Sequence, residues 1–426
     1  MVDEARGLEI AKGMASLYGD AACSLSLIWE TGVLETFRDN IAGAADTKVF
    51  KKALSWVLAK TMPELGGPRS ARGGGAAPAD QAQIEALLQT ESGIDTLDAL
   101  LTSEANDAVA MSRAKGGSVG EKTEEQFAED LTYDIDDLRS LLESSAPGSE
   151  PILRQTEDET GARGGAATIA LFLAKVIFAV VKRFRTGTDH DPLPTAVEEL
   201  LRAAYLAEIG AFAWSEIKEK AKNMWIDDGP APSEKGHVGG YMLRRLEALQ
   251  KARPEVTIDL VGHSAGSIVI CAMLAAIKEQ KRAIKIRNVV FLAPAARLDI
   301  FKATVTAPAP FDRFRLFTMT DGAEKSDKLV GPIYPRSLLF LVSGVFEDKP
   351  DTPLVGMARH ITERTSSADA SYDDVRHWLA ADCRLILSPS ADEAPDGLRT
   401  KAAHHGDFDT DPATLASLLF LARTAA

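Results

Sequence analysis

The C-terminal half of the chain alternates between short apolar runs and longer amphipathic segments. The short runs are typical of buried strands, and the longer segments have the period of helices. The predicted strands are VTIDLV (256–261), IRNVVFLAP (286–294), FRLFTMT (314–320) and CRLILSPS (383–390). The predicted helices are GGYMLRRLEALQKARP (239–254), SIVICAMLAAIKEQKR (267–282), RSLLFLVSGVFE (336–347) and PATLASLLFLAR (412–423). This alternation predicts an α/β fold, a mostly parallel sheet covered by helices.

The N-terminal half opens in the same way and then changes character. A helix is predicted over Glu4–Leu17 and a buried strand over Ala22–Trp29. From 33 to 235 the pattern is helical throughout and is cut by glycine-rich stretches at 66–75 and 116–120. A continuous helical period runs over 195–225. The sequence therefore predicts an α/β core from 1–32 and 236–426, interrupted by a helical insertion over 33–235.

One apolar run, residues 165–184, approaches the length of a membrane span. Lys175 interrupts it, and the uninterrupted part is shorter than the roughly 20 residues that a bilayer requires. We expect a buried helix, with a helix in peripheral contact with a membrane surface as the alternative.

Composition and charge exclude several classes of protein. The 426 residues carry a formal net charge of −14, which argues against a nucleic-acid binder. The cysteines Cys23, Cys271 and Cys383 lie far apart and predict neither a disulfide framework nor a zinc site. The N-terminus has no basic and apolar leader. A cytoplasmic protein is the simplest expectation.

The segment Gly262-His263-Ser264-Ala265-Gly266 matches G-x-S-x-G, the nucleophile elbow. A predicted strand precedes it and a predicted helix follows, as the motif requires. Ser264 would be the nucleophile, and the amide of Ala265 would be one donor to an oxyanion at the helix N-terminus. The alternative is a turn of small residues that joins a core strand to a core helix.

A serine nucleophile needs a base and an acid, which this motif takes from further along the chain. Asp321 ends the strand FRLFTMT and is the first choice of acid, with Asp327 as the alternative. Asp321 could instead cap a turn or helix. His405 follows the last strand and is preferred to His404 as the base. A solvated loop histidine is the other interpretation. The remaining histidines precede the last strand: His190, His237, His263, His360 and His377.

These motifs resemble the α/β-hydrolase superfamily, and within it bacterial hydrolases with a large helical insertion. The resemblance is carried by LIWETG, TGTDHDPLPTAVEELLRAAYL, LVGHSAGS, MTDGAEKSD and HHGDFDTDPATLASL. It implies a Ser–Asp–His hydrolase that uses no metal and no organic cofactor. In that superfamily an HGG-type loop before the first helix supplies the second oxyanion amide, and its residues would precede Met1. We therefore expect an exposed sheet edge, and either a second donor from another backbone amide near the N-terminus or weak activity.

The sequence favours a serine hydrolase of the esterase or lipase type, acting on a small-molecule ester or lipid-like substrate. A catalytically silent scaffold with a binding or regulatory role is a second hypothesis. Use of the same three residues by a peptidase or acyltransferase is a third. Because the insertion is rooted at strand ends, it should cover the crevice at the carboxyl edge of the sheet and act as a lid.

Overall fold

The computed structural model describes the following residues: 4–28, 41–65, 80–115, 123–132, 136–143, 147, 149–160, 166–205, 210–229, 236–306, 311–328, 333–362 and 370–424. The helices before the sheet are α1 Glu4–Tyr18, α2 Lys48–Leu65, α3 Gln81–Leu87, α4 Glu91–Lys115, α5 Glu124–Thr132, α6 Asp136–Glu143, α7 Ser149–Thr160, α8 Ala166–Thr186, α9 Pro192–Leu200, α10 Gly210–Asn223 and α11 Val238–Ala252. The strands are β1 Asp259–His263, β2 Ile286–Leu292, β3 Phe311–Met319 and β4 Leu385–Ser388. The helices among and after them are α12 Gly266–Glu279, α13 Leu298–Phe301, α14 Asp321–Ser326, α15 Leu338–Leu341, α16 Ala358–Ile361, α17 Asp373–Ala380 and α18 Pro412–Arg423.

The four strands form one parallel sheet in the order β1-β2-β3-β4. Their register aligns the carboxyl ends, because His263 pairs with Leu292, Leu292 with Phe317, and Phe317 with Ile386. The predicted α/β fold class is therefore confirmed, as are the four C-terminal strands. The aligned ends bring the loops that follow β1, β2, β3 and β4 to one edge of the sheet.

Successive side chains of each strand point to opposite faces of the sheet, so the core is divided between the two faces. Val289 and Phe291 of β2 pack with α12, whereas Val290 and Leu292 pack with α18 and with Met14 of α1. Both faces are covered by helices, which is why these strands read as continuous apolar runs. The predicted helix over Glu4–Leu17 is confirmed as α1.

Two predictions of secondary structure are wrong in part. Residues 22–28 of the predicted strand Ala22–Trp29 have no regular structure, and Leu25 is 72% exposed. Trp29 lies outside the described residues. Apolar composition favours a strand, but a strand also needs a paired neighbour, and among the described residues this segment has none. The predicted helix over 195–225 is divided, because a π-helical turn at Leu201–Tyr205 ends α9 and α10 begins at Gly210.

The apolar run at 165–184 lies within α8, a helix with eleven buried residues. The expectation of a buried helix is thus confirmed. No helix in the described ranges has the length and apolar character of a membrane span. The predicted glycine-rich joints at 66–75 and 116–120 lie outside the described residues.

The helices from α2 to α10 share a core with a segment that follows β3. Tyr334, the residues of α15 and the π-helical turn Val342–Phe346 pack with α2, α8 and α9. We call this group of packed helices and the segment 333–346 the helical block. The sequence pattern did not reveal that the chain returns to this block after the sheet has begun. The boundaries at 32 and 236 stay a prediction.

A buried ion network lies in the helical block and extends to Asp351. Glu198 of α9 is fully buried and contacts Arg183 Nη1 at 2.7 Å, His190 Nδ1 at 2.7 Å and Tyr334 Oη at 2.6 Å. Asp351 lies 3.0 Å from Nε2 of the same histidine. Burial opposes the ionisation of Glu198, but His190 and Arg183 prevail and lower its pKa to about 2.

We predict that Glu198→Ala lowers the free energy of unfolding by about 3–5 kcal/mol, because it leaves the buried Arg183 without its nearest counter-charge. Glu219→Ala removes an exposed glutamate from α10 and should cost less than about 0.5 kcal/mol. Denaturant midpoints followed by tryptophan fluorescence compare the two variants. Equal midpoints would contradict a stabilising role for the network.

Candidate active site

Ser264 occupies a sharp turn between β1 and α12. Its φ is 51°, a left-handed conformation that costs a non-glycine residue about 1–3 kcal/mol. Backbone hydrogen bonds hold it there: its N–H donates to the carbonyl of Leu292 at 2.9 Å, and its own carbonyl accepts from the amide of Ala295 at 3.1 Å. The serine is therefore fixed against the carboxyl end of β2.

The two glycines of the motif differ in the space available for a side chain. A Cβ at Gly262 would lie 2.7 Å from Cδ1 of Ile270 and 2.9 Å from the backbone of Gly266, so no side chain fits there. A Cβ at Gly266 would meet nothing within 4 Å. Only the first glycine is required by the close approach of strand and helix.

Ala265 stands at the N-cap of α12, with φ −60° and ψ −21°. The amides of a first helical turn have no partner within their own helix, and the helix dipole makes them favourable donors to an anion. The Ala265 amide thus lies beside Ser264, where an oxyanion would form.

His405 lies on the loop between β4 and α18 and is 3% exposed. Its Nε2 is 3.0 Å from Oγ of Ser264, a hydrogen-bonding distance. The structure thus brings together the predicted nucleophile and the predicted base, which are 141 residues apart in the chain. Asp407 shapes the loop by accepting from the amides of Ala403 and His404.

The other ring nitrogen of His405, Nδ1, is buried and has no hydrogen-bond partner within the described ranges. Burial, followed by the charge of His263, lowers the pKa of His405 well below its ordinary value. The imidazole is therefore neutral at neutral pH, the state in which it can accept a proton.

The structure separates the two candidate acids. Asp321, the first choice from sequence, is the first residue of α14, and its carboxylate lies 3.5 Å from Lys325 Nζ and bonds neither histidine. Asp327 is 6% exposed, accepts from the backbone amide of His405 at 2.8 Å and lies 3.0 Å from Nδ1 of His404. Asp321 follows the strand directly, but α14 begins there and its carboxylate pairs with Lys325 of the same helix.

Three residues at the site had no signal in the sequence. Glu324 is buried beside Asp327 and bonds Ser337 Oγ, and burial raises its pKa to about 8. His263 precedes the nucleophile, and its Nε2 is 3.0 Å from the carbonyl oxygen of His405. Asp409 lies 3.5 Å from Nδ1 of His263. Their roles depend on contacts between distant loops, which a pattern along the chain does not reveal.

Salt bridges join α4 and the start of α9 to Lys325, Lys328 and Arg336, which follow β3. Lys328 Nζ contacts Asp95 of α4 at 2.6 Å, and Arg336 Nη1 contacts Asp98 of the same helix at 2.9 Å. Lys325 Nζ lies 3.3 Å from Asp191, at the start of α9. Within the part of the chain that the structure describes, no group of histidine, cysteine, aspartate and glutamate side chains is arranged to hold a metal ion.

Comparison with known proteins agrees with this geometry over the first part of the sheet. Residues 241–328 match the model of a family described as an alpha/beta hydrolase of unknown function. The match includes β1, the elbow, β2, β3 and Asp327 and ends before His405. No curated protein and no solved structure matches the chain significantly.

We predict that Gly262→Ala lowers the free energy of unfolding by about 1–3 kcal/mol, because the new methyl group forces strand and helix apart. Gly266→Ala is the matched control. It adds a methyl group into open space in the first turn of a helix and should be neutral or stabilising by up to about 1 kcal/mol. The thermal unfolding midpoints of both variants and of the unsubstituted protein test this prediction. A larger loss of stability in Gly266→Ala than in Gly262→Ala would contradict it.

Proposed function

We propose that the chain is a serine hydrolase that cleaves carboxylic esters, and its parallel α/β sheet and the match of residues 241–328 to an alpha/beta hydrolase family of unknown function support this proposal. The observation that carries the proposal is the 3.0 Å contact between Ser264 Oγ and His405 Nε2 at the end of a tight strand-to-helix turn. Both atoms belong to residues whose position is fixed by backbone contacts, so the pair is organised before substrate arrives.

In the proposed reaction, Ser264 Oγ attacks the ester carbonyl carbon while His405 Nε2 takes the serine proton. The tetrahedral oxyanion accepts a hydrogen bond from the Ala265 amide, a kind of donor whose loss typically costs ~10²–10³-fold in turnover. His405 then gives its proton to the leaving alcohol, which leaves an acyl-serine. Water, deprotonated by His405, hydrolyses the acyl-serine and restores both residues.

Asp327 is the proposed acid of the site, in place of Asp321. It accepts from the backbone amide of His405, so it acts on the position of the histidine. In the proposed reaction it positions His405 and exchanges no proton.

The helical block is a proposed wall of the substrate site. Its residues Asp95, Asp98 and Asp191 contact the segment that follows β3, at the edge of the sheet where Ser264 lies. A small-molecule ester is the proposed ligand at this wall. The block would select among acyl chains.

A binding module without catalysis is the second candidate. The observation that favours it is Nδ1 of His405, which is buried and lacks a partner within the described ranges. An imidazolium formed at this position would have an unpaired buried N–H, which is costly. Activity measurements separate the two candidates directly.

We predict hydrolysis of p-nitrophenyl acetate, butyrate and octanoate, with the longer chains preferred over acetate. Ser264→Ala should lower kcat/KM by at least about 10³-fold and leave the thermal unfolding midpoint nearly unchanged. Ser326→Ala, on the exposed side of α14, is the matched control and should retain full activity. Equal activity of Ser264→Ala and the unchanged protein would exclude Ser264 as the nucleophile, and no hydrolysis by either would favour the binding module.

We further predict that Asp327→Asn lowers kcat/KM by about 10- to 100-fold, because the His405 amide and the His404 ring lose the carboxylate that holds them. Asp321→Asn, six residues away, should change it by less than about twofold, since the described contact of that carboxylate is with a partly exposed lysine. Initial rates with one ester at several pH values compare the variants. The reverse ranking would return the acid role to Asp321.

A further inference from the structure

Ser267 is a fully buried serine in the first turn of α12, and its hydroxyl makes two hydrogen bonds to the backbone. Its Oγ donates to the carbonyl of Ser264 at 2.6 Å and accepts from the amide of Ala296 at 3.1 Å. A hydroxyl has one hydrogen to donate and lone pairs that accept, so both bonds form together. Ser267 thus joins the nucleophile elbow to the loop that follows β2.

The two segments that Ser267 joins both contain a left-handed residue. Ser264 has a φ of 51°, and Ala293, directly after β2, has a φ of 40°. The Ser264 carbonyl also accepts from the amides of Ser267 and Ala295, both at 3.1 Å. The hydroxyl of Ser267 therefore makes the shortest of the three described bonds that hold this carbonyl.

The carbonyl of Ser264 belongs to the same peptide unit as the amide of Ala265. A trans peptide unit is planar, and its C=O and N–H bonds point in opposite directions. Because the carbonyl points to the buried Ser267, the Ala265 amide points away from it. Ala265 is half-buried, and its amide donates no hydrogen bond to a described residue. Fixing the carbonyl therefore fixes the direction of a free donor next to the nucleophile.

We infer that Ser267 is a positioning residue of the proposed hydrolase: its hydroxyl orients the Ser264–Ala265 peptide so that the Ala265 amide faces the oxyanion of the tetrahedral intermediate. This inference rests on the proposed function for its catalytic consequence. Ser267 is fully buried, so it acts through this peptide and not by contact with substrate. Its loss should affect the step in which negative charge develops and leave substrate binding unchanged.

The first experiment measures the orientation of the amide without using activity. The residual dipolar coupling of the Ala265 N–H bond reports the direction of that bond in the whole protein. We expect this coupling to change in Ser267→Ala, while the couplings of the β3 amides stay the same. An unchanged Ala265 coupling in Ser267→Ala would overturn the inference whether or not the protein is a hydrolase.

Ser417→Ala is the matched control. Ser417 of α18 is also buried, and its Oγ likewise donates to one backbone carbonyl and accepts from one amide, both of Arg399, at 2.8 and 2.9 Å. Its removal should cost stability in the same way and leave the Ala265 coupling as it is. A change of that coupling as large as in Ser267→Ala would show a general effect of buried hydroxyls and would contradict the inference.

The second experiment measures hydrolysis of one p-nitrophenyl ester at a temperature at which every variant is folded. Ser267→Ala should lower kcat by about 10- to 100-fold and change KM by less than about twofold, because the oxyanion donor is misdirected and not removed. Ser417→Ala should keep both constants. Ser267→Cys keeps a weaker donor and acceptor, so its kcat should lie in between, and it replaces the alanine variant if that variant does not fold.

The outcomes separate this inference from the proposed function. Equal kcat in Ser267→Ala and the unsubstituted protein, or a rise in KM alone, would contradict the positioning role of Ser267. No hydrolysis by the unsubstituted protein would refute the proposed function, while the dipolar coupling would still decide whether Ser267 orients the Ala265 amide.

Discussion

The left-handed backbone of Ser264 is the constraint on which the rest of the site depends. The conformation is unfavourable for serine, and it is held by the bonds to Leu292 and Ala295 at the carboxyl end of β2. Those bonds fix the direction of Oγ and the start of α12. Ala295 also packs into the core of the helical block, so the same turn connects the sheet, the nucleophile and the block.

The segment that begins at α14 connects the histidine loop to the helical block. Asp327 holds the amide of His405, while Lys328 and Arg336 bind aspartates of α4. The buried network around Glu198 joins α9 to His190 and to Tyr334, which follows β3.

The sequence pattern predicted the elements that are determined by residues close together in the chain. The strand before Gly262, the helix after Gly266 and the position of His405 after the last strand follow from periodicity and from one motif. Asp321 was the natural choice of acid because it ends β3, but α14 starts at that residue and only the structure shows where its carboxylate lies. The roles of Glu324, His263 and Asp409 depend on loops that meet in space. The exposed segment 22–28 has strand composition but no paired neighbour within the described residues, and composition alone could not show this.

Labelling of the whole protein with a fluorophosphonate, followed by peptide mass spectrometry, tests the central claim most directly. Such a probe forms a covalent phosphonyl adduct only with a serine that a nearby base activates. The account predicts one adduct on Ser264, formed more slowly as the pH falls and His405 takes a proton, and lost in His405→Gln. An unlabelled Ser264 at neutral pH, or labelling that is as fast in His405→Gln as in the unchanged protein, would contradict the account.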